Sequence, residues 1–240
     1  MKLEIVVLSL DSATERRAQF TASAAGTTLN WRFFDAHREL DSRLSYDPDQ
    51  ARRHKGRVLS AGERGCYSSH FAIWHELLES DFDALIVLED DVVVDWAFLE
   101  ALANEPLADM GVHYLRLYYK KPGRYIVRKK HVVQRSTRLI ELLDLAFGTQ
   151  GYVIDKFAAR RFCDKFTNVV RPIDDQLDRH WNHGIPNYCL FPFPLFERAV
   201  PSEIGDVRFE NDKRGFFHMW RDRLKKRLAI RRRMKSKFAG

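Results

Sequence analysis

The amino-acid sequence predicts an α/β fold built on an open, largely parallel sheet. Two patterns carry that expectation. Short, β-branched apolar runs alternate with longer stretches of helical character from Leu3 to Phe191. Two of these runs, Leu3–Leu10 and Leu85–Leu88, close on polar groups, Ser9-Leu10-Asp11 and Glu89-Asp90-Asp91. Those are C-terminal strand ends, where open α/β sheets bind ligands. With 240 residues and 45% hydrophobic content the chain can bury a substantial core. No apolar run is long enough to mark a membrane-spanning helix.

Leu3–Leu10 reads as the first strand; its alternation and the lack of a small-residue cleavage site argue against a signal peptide. A helix is expected from Asp11 to near Gly26, with Asp11 or Ser12 as N-cap and Glu15 in its first turn. Trp31–Ala36 reads as a second strand, and Arg38–Arg57 as a charged loop. Ser60 and Glu63 have capping-box spacing and open a helix through His70 and Trp74 to Glu79. The strand at Leu85–Leu88 and the acidic turn follow, then a helix at Trp96–Asn104. Tyr114–Leu117, Tyr125–Val127 and Gly151–Ile154 are short strand candidates; Phe157–Lys165 and Asp174–His183 read as helices. Tyr188–Phe191 is extended before a Pro-rich stretch.

Charge divides the chain in two. Residues 213–240 hold 12 Lys and Arg against one acid, Asp222, while residues 1–212 hold 28 basic and 32 acidic residues. The net +7 therefore belongs to the tail, which disfavours nucleic acid as a partner of the main domain. Three scattered cysteines, Cys66, Cys163 and Cys189, form no CxxC pair and point to free thiols in a reducing cytoplasm.

The acidic triplet is the most informative feature. Adjacent carboxylates at a buried strand end repel one another unless a cation compensates them. In extended backbone Glu89 and Asp91 share one side and Asp90 takes the other. Oxygen ligands of this kind suit Mg2+ or Mn2+; the plainer reading is a solvated turn. Gly62-Glu63-Arg64-Gly65-Cys66 can bring backbone N–H groups to an anion or simply cap a helix. Cys66 reads as a small buried residue, with no partner placed to activate it. Gly148-Thr149-Gln150-Gly151 fits a close backbone approach or a tight turn. Asp174 and Asp175 form a second carboxylate pair at a helix start, a position Asp also takes as N-cap.

These segments resemble the bacterial lipo-oligosaccharide galactosyltransferases of glycosyltransferase family 25. Six blocks in order carry the resemblance: Leu8-Ser9-Leu10 with Arg16-Arg17; Leu59 to His70 with Trp74; Leu88-Glu89-Asp90-Asp91; Gly148 to Ile154; Pro172-Ile173-Asp174 with Leu177; and Pro201 to Gly205. The resemblance implies a GT-A-type, Rossmann-like nucleotide-sugar domain over residues 1–212. It also implies a divalent metal, Mn2+ or Mg2+, and inverting transfer of a hexose, galactose first, from a UDP-sugar to a lipid-linked oligosaccharide acceptor. Asp91 is then the metal ligand, and Ser9, Leu10, Arg17, Glu63, His70, Glu89, Asp90, Gly148 and Thr149 belong to the donor site. Arg16 and Arg17 are either phosphate-side cations or an exposed helix face. Asp174, or its neighbour Asp175, is the base or an acceptor-orienting group. A third metal ligand among His180, His183 and His218 stays unassigned.

The alternatives are a degenerate, non-catalytic member of the same fold and a nucleotidyltransferase. The latter lacks a Gly-rich phosphate loop after the first strand. In the tail, Phe216, Trp220, Leu224 and Leu228 recur every four residues among basic ones. That pattern predicts an amphipathic helix on an anionic membrane surface, with nucleic acid as the rival partner. A peripheral location at the cytoplasmic face of the inner membrane follows from such an acceptor and tail.

Overall fold

The computed structural model describes residues 2–198 and 216–236, with the side chains of the last helix described from Trp220 onward. In chain order the elements are β1 Leu3–Ser9, α1 Thr14–Ser23, β2 Trp31–Asp35, β3 Ser45–Tyr46, α2 Pro48–Lys55, α3 Ala61–Glu79, β4 Ala84–Glu89, β5 Val92–Val94, α4 Trp96–Leu102 and β6 Tyr114–Arg116. Then come β7 Tyr125–Lys130, β8 Arg138–Leu142, β9 Gly151–Asp155, α5 Lys156–Lys165, β10 Asn168–Val169, α6 Ile173–Leu177, α7 His180–His183, β11 Tyr188–Phe191, β12 Leu195–Glu197 and α8 Phe216–Lys235.

The open α/β sheet is present, and its order is β2-β1-β4-β9-β6-β11-β8-β7. It is more mixed than the sequence pattern indicated. β2, β1 and β4 are mutually parallel, β11 is parallel to β6, and the β4–β9, β6–β9, β11–β8 and β7–β8 pairs are antiparallel. Parallel pairs need a long crossover, usually a helix. No helix lies between β6 and β9, and the strands there run back and forth instead.

Both faces of the sheet are covered. Ile5, Val7, Ile86 and Leu88 pack with Phe20 of α1 and Phe98 and Leu99 of α4. Val6, Leu8, Leu85 and Val87 pack with Tyr67, Phe71 and Trp74 of α3 and Phe162 of α5. Two-sided burial explains why β1 and β4 read as nearly unbroken apolar runs. Ser60 and Glu63 form the expected capping box at α3. α1 begins later than expected, at Thr14, with Ala13 at the N-cap and no side-chain cap. The segment read as a charged loop contains α2, which has the signals of a helix start and stop. Asp47 accepts from Asp49 N and Gln50 N, Pro48 stands in the first turn, and Gly56 closes the helix at φ 87°.

α8 lies against the domain. Asp222 accepts from Trp181 Nε1 at 2.8 Å and pairs with Arg179; Lys226 meets Asp144 at 2.7 Å; Arg233 pairs with the buried Glu141 of β8. Arg128 donates to the carbonyls of Arg233 and Ser236, satisfying exposed acceptors at the helix C-terminus.

Candidate active site

The C-terminal ends of β1 and β4 open into a cleft of about 850 Å3, floored by Ser9, Leu10 and Glu89 to Asp91. Gly62, Glu63, Cys66 and Ser69 of α3, the Phe147 to Gln150 loop, and Pro172 to Asp174 at the start of α6 complete the walls.

Glu89 ends β4 and Asp90-Asp91 form the turn before β5, and the three carboxylates separate. Asp90 turns toward β1: its Oδ2 accepts from Ser9 Oγ at 2.6 Å and lies 3.4 Å from Arg16 Nε. Glu89 accepts from Thr149 Oγ1 at 2.5 Å. Asp91 faces Glu197 and Glu89, and its buried Oδ1 has no hydrogen-bond partner among the described residues. Burial, followed by the charge of Asp91, pushes the Glu89 carboxyl up; burial, followed by Glu197 and Asp90, does the same to Asp91. The chain thus leaves negative charge under-compensated here, with an oxygen ligand unused. Carboxylates of this type fit a hard divalent cation. Among the described residues no three His, Cys, Asp or Glu side chains converge to hold an ion by themselves. A cation here would need oxygens from a ligand or water as well.

The loop between these acids and Asp174 is held from behind. Asp178 Oδ2 accepts from Ala146 N and Phe147 N at 2.7 Å each. Buried Arg116 donates to the Gly148 carbonyl at 2.5 Å and to Asp178 Oδ1 at 2.8 Å. Gly148 takes φ 89°, where a side chain would be strained. Its N–H donates to Asp174 Oδ2 at 3.2 Å, while Asp175 N donates to Asp174 Oδ1 at 2.7 Å. Asp175 itself points away into Lys55 (2.7 Å) and Arg179 (2.8 Å). Of this pair, only Asp174 lines the cleft.

The structure brings Ser9, Leu10, Glu63, Glu89, Asp90, Asp91, Gly148, Thr149 and Asp174 together. Glu63 is there as a bracket more than a free group: Arg57 clamps it at 2.6 and 2.7 Å and Ser60 N donates to it. Arg17 and His70 do not line the cleft. Arg17 reaches back to the Ser9 carbonyl and Asp35, leaving Arg16 at the cleft wall. His70 is fully buried in the core, bonded through Nδ1 to Tyr152 Oη at 2.9 Å, and burial pushes its pKa down to about 3. Burial raises the Cys66 thiol well above its ordinary value, with Glu89 adding to the effect, which disfavours the thiolate.

His180 and His183 do not line the cleft either. His183 packs edge-on against Phe162 and Phe166 and bonds the Leu177 carbonyl at 3.1 Å; His180 is buried near Glu141 and Arg233. The side chain of His218 and the Pro201 to Gly205 block lie outside the described residues.

Glu197 and Lys120 are among the cleft residues that the sequence reading did not single out. Glu197 sits beside the triplet because β12 pairs antiparallel with β5, setting Glu197 opposite Val92. Lys120 Nζ is 2.7 Å from Glu197 Oε1, and it too lines the cleft. The alternation Leu195-Phe196-Glu197 after Pro194 signalled a short edge strand, but nothing local showed where it would pair.

The family model described as glycosyltransferase family 25 (LPS biosynthesis protein) matches residues 2–177, from β1 through α6. The chain belongs to glycosyltransferase family 25. The matched region carries the acidic triplet, the Gly148-Thr149 loop and Asp174, whereas Glu197 and α8 lie beyond it. Among family relatives, the lacto-N-neotetraose biosynthesis glycosyltransferase LgtE of Neisseria meningitidis is 31% identical over 201 residues, covering 78% of this chain and 71% of that protein. The lipooligosaccharide biosynthesis protein lic2B of Haemophilus influenzae is 23% identical, with 81% and 78% covered. Procollagen galactosyltransferase 1 of Danio rerio is 28% identical over 65% of this chain but only 26% of its own length. Membership of the family makes the chain a glycosyltransferase.

Proposed function

We propose that this protein is a metal-dependent, inverting hexosyltransferase of GT-A type that moves galactose from UDP-galactose to a lipo-oligosaccharide core acceptor. The observation that carries the reading is the pair of under-compensated carboxylates, Glu89 and Asp91, in the same cleft as Asp174. Asp91, with Glu89 beside it, would hold Mn2+ or Mg2+, and a cation bound there would take up charge on the leaving diphosphate.

The remaining chemistry belongs to the chain. Lys120 and Arg16 line the same cleft and supply further positive charge on the diphosphate side. Two backbone N–H groups fix Asp174, one on each oxygen, and each oxygen keeps a second lone pair for an acceptor hydroxyl. Asp174 therefore takes the proton as that hydroxyl attacks the anomeric carbon from the face opposite the diphosphate, which inverts the configuration in one displacement. The names of the procollagen galactosyltransferases support galactose, and three unpaired thiols support a reducing compartment.

The test is incubation with a panel of labelled UDP-hexoses, with Mn2+ or with chelator. Manganese-dependent hydrolysis or transfer, fastest with UDP-galactose, is the expected result. A protein inert toward every UDP-sugar, or equally active in chelator, contradicts the reading.

A further inference from the structure

We propose that the outward face of α8 is a docking surface for an anionic lipid bilayer. The helix divides into two faces. Asp222, Lys226, Ile230 and Arg233 recur at helical spacing and turn inward, meeting Arg179, Asp144 and Glu141, with Ile230 buried. Trp220, Leu224 and Leu228 stand one turn apart and are 55%, 44% and 47% exposed. At 100° per residue, Arg227, Arg231 and Lys235 fall on the same outward side as that stripe.

The inward contacts fix which way this surface points. Helices that merely cover a domain put their large apolar residues against it. From Trp220 onward α8 turns one large apolar residue, Ile230, inward, otherwise joins the domain through charged groups, and presents Trp220, Leu224 and Leu228 outward. It is 20 residues long, or about 30 Å, and no described helix is apolar enough to cross a membrane. An apolar stripe flanked by cations fits a helix lying in the headgroup region, with the stripe among acyl chains and the cations on lipid phosphates. A nucleic acid would match the cations but offers no place for two exposed leucines. The inward ion pairs also connect this surface to the cleft: Asp222 to Arg179, Arg179 to Asp175, and Asp175 to Lys55 at the cleft wall. A bilayer bound at α8 would therefore sit at a set orientation to the site, as a lipid-linked acceptor requires.

The experiment is co-sedimentation of the full chain with vesicles of phosphatidylglycerol and phosphatidylcholine, against phosphatidylcholine alone, at low and high salt. Binding to the anionic vesicles should exceed binding to neutral ones by at least roughly tenfold and fall with salt, leaving a residue that salt does not remove. The triple variant Trp220→Ser, Leu224→Ser, Leu228→Ser should lose that salt-resistant part while keeping its melting temperature. Brominated lipid should quench the full chain more than Trp220→Phe, a readout that needs no stability-sensitive variant. Equal quenching of the two, or salt-resistant binding unchanged in the triple variant, would overturn the proposal. So would indifference to vesicles together with steeply salt-dependent binding to DNA or RNA. Vesicle binding needs no turnover, so its outcome is separable from that of the sugar-transfer assay.

Discussion

Two groups of acids, Asp175 buried and the others half-buried, are treated in opposite ways. At the start of α6 and along α8, Asp175 and Asp222 are desolvated, which alone would raise their pKa values; Arg179 overcomes that in both cases, joined by Lys55 at Asp175, and holds them below the usual range. At the end of β4, Glu89 and Asp91 are also desolvated, but their nearest charged company is acidic and their pKa values rise. The fold supplies cations for the first group and leaves the second short. A buried charge matched by the chain is scaffolding. One left unmatched at a strand end that lines the cleft is where, on the proposed function, a cation from outside would bind.

The largest effect that would sharpen this contrast is on catalysis. Asp174→Asn should lower kcat by roughly 10²–10⁴-fold with donor affinity retained, as read by steady-state kinetics alongside UDP binding. A variant that keeps its rate returns Asp174 to a purely loop-holding role.

Asp175→Asn, one residue on, should act on stability instead. It leaves Lys55 and Arg179 facing each other without their shared anion, a loss on the order of 3–5 kcal/mol in denaturant midpoints. Asp91→Asn should leave the melting temperature unchanged or higher, since it removes repulsion that the native state carries. If both amides destabilise alike, the two groups of acids are not different in kind.

The pH dependence of stability separates them further. Asp175 and Asp222 have depressed native pKa values, so their contribution is present above the unfolded value near 4 and is lost as pH falls through the native one. Glu89 and Asp91 have raised values, so they take stability away as pH rises from about 4 toward the native pKa. Acid melts of Asp175→Asn and alkaline-going melts of Glu89→Gln should each flatten the corresponding slope; parallel curves for wild type and variant would remove the assignment.

The smallest expected effect is at the cleft rim, where Lys120→Met should raise the donor KM roughly tenfold, about the worth of one charge-assisted hydrogen bond, with kcat less affected. An unchanged KM would take Lys120 out of donor binding.

Local chemistry was legible in the sequence and long-range pairing was not. The capping box of α3, the apolar runs of β1 and β4 and the acids beyond them are contiguous signals, and they put most of the cleft together. α2 went unread because its eight residues offer no apolar stripe, only Ala51 being buried, although its caps were in view. β8 went unread because Glu141 interrupts its apolar run; that acid is buried only because Arg128 and Arg233 arrive from β7 and α8. His70 was read into the donor site from the family resemblance of the Leu59 to His70 block. Which side of α3 meets the cleft is decided by the sheet beneath it, and His70 turns to Tyr152. The tail's charge was legible as a block, but not that Asp222, Lys226 and Arg233 would pair with the domain.

The central claim is that Glu89 and Asp91 are left short of positive charge in order to hold a cation together with the donor. Titration of Mn2+ into the full chain, with and without UDP, tests it by calorimetry. One ion per chain, bound more tightly with UDP and lost in Glu89→Gln/Asp91→Asn without a fall in melting temperature, is the predicted result. A double variant that binds Mn2+ and UDP as the wild type does would contradict it.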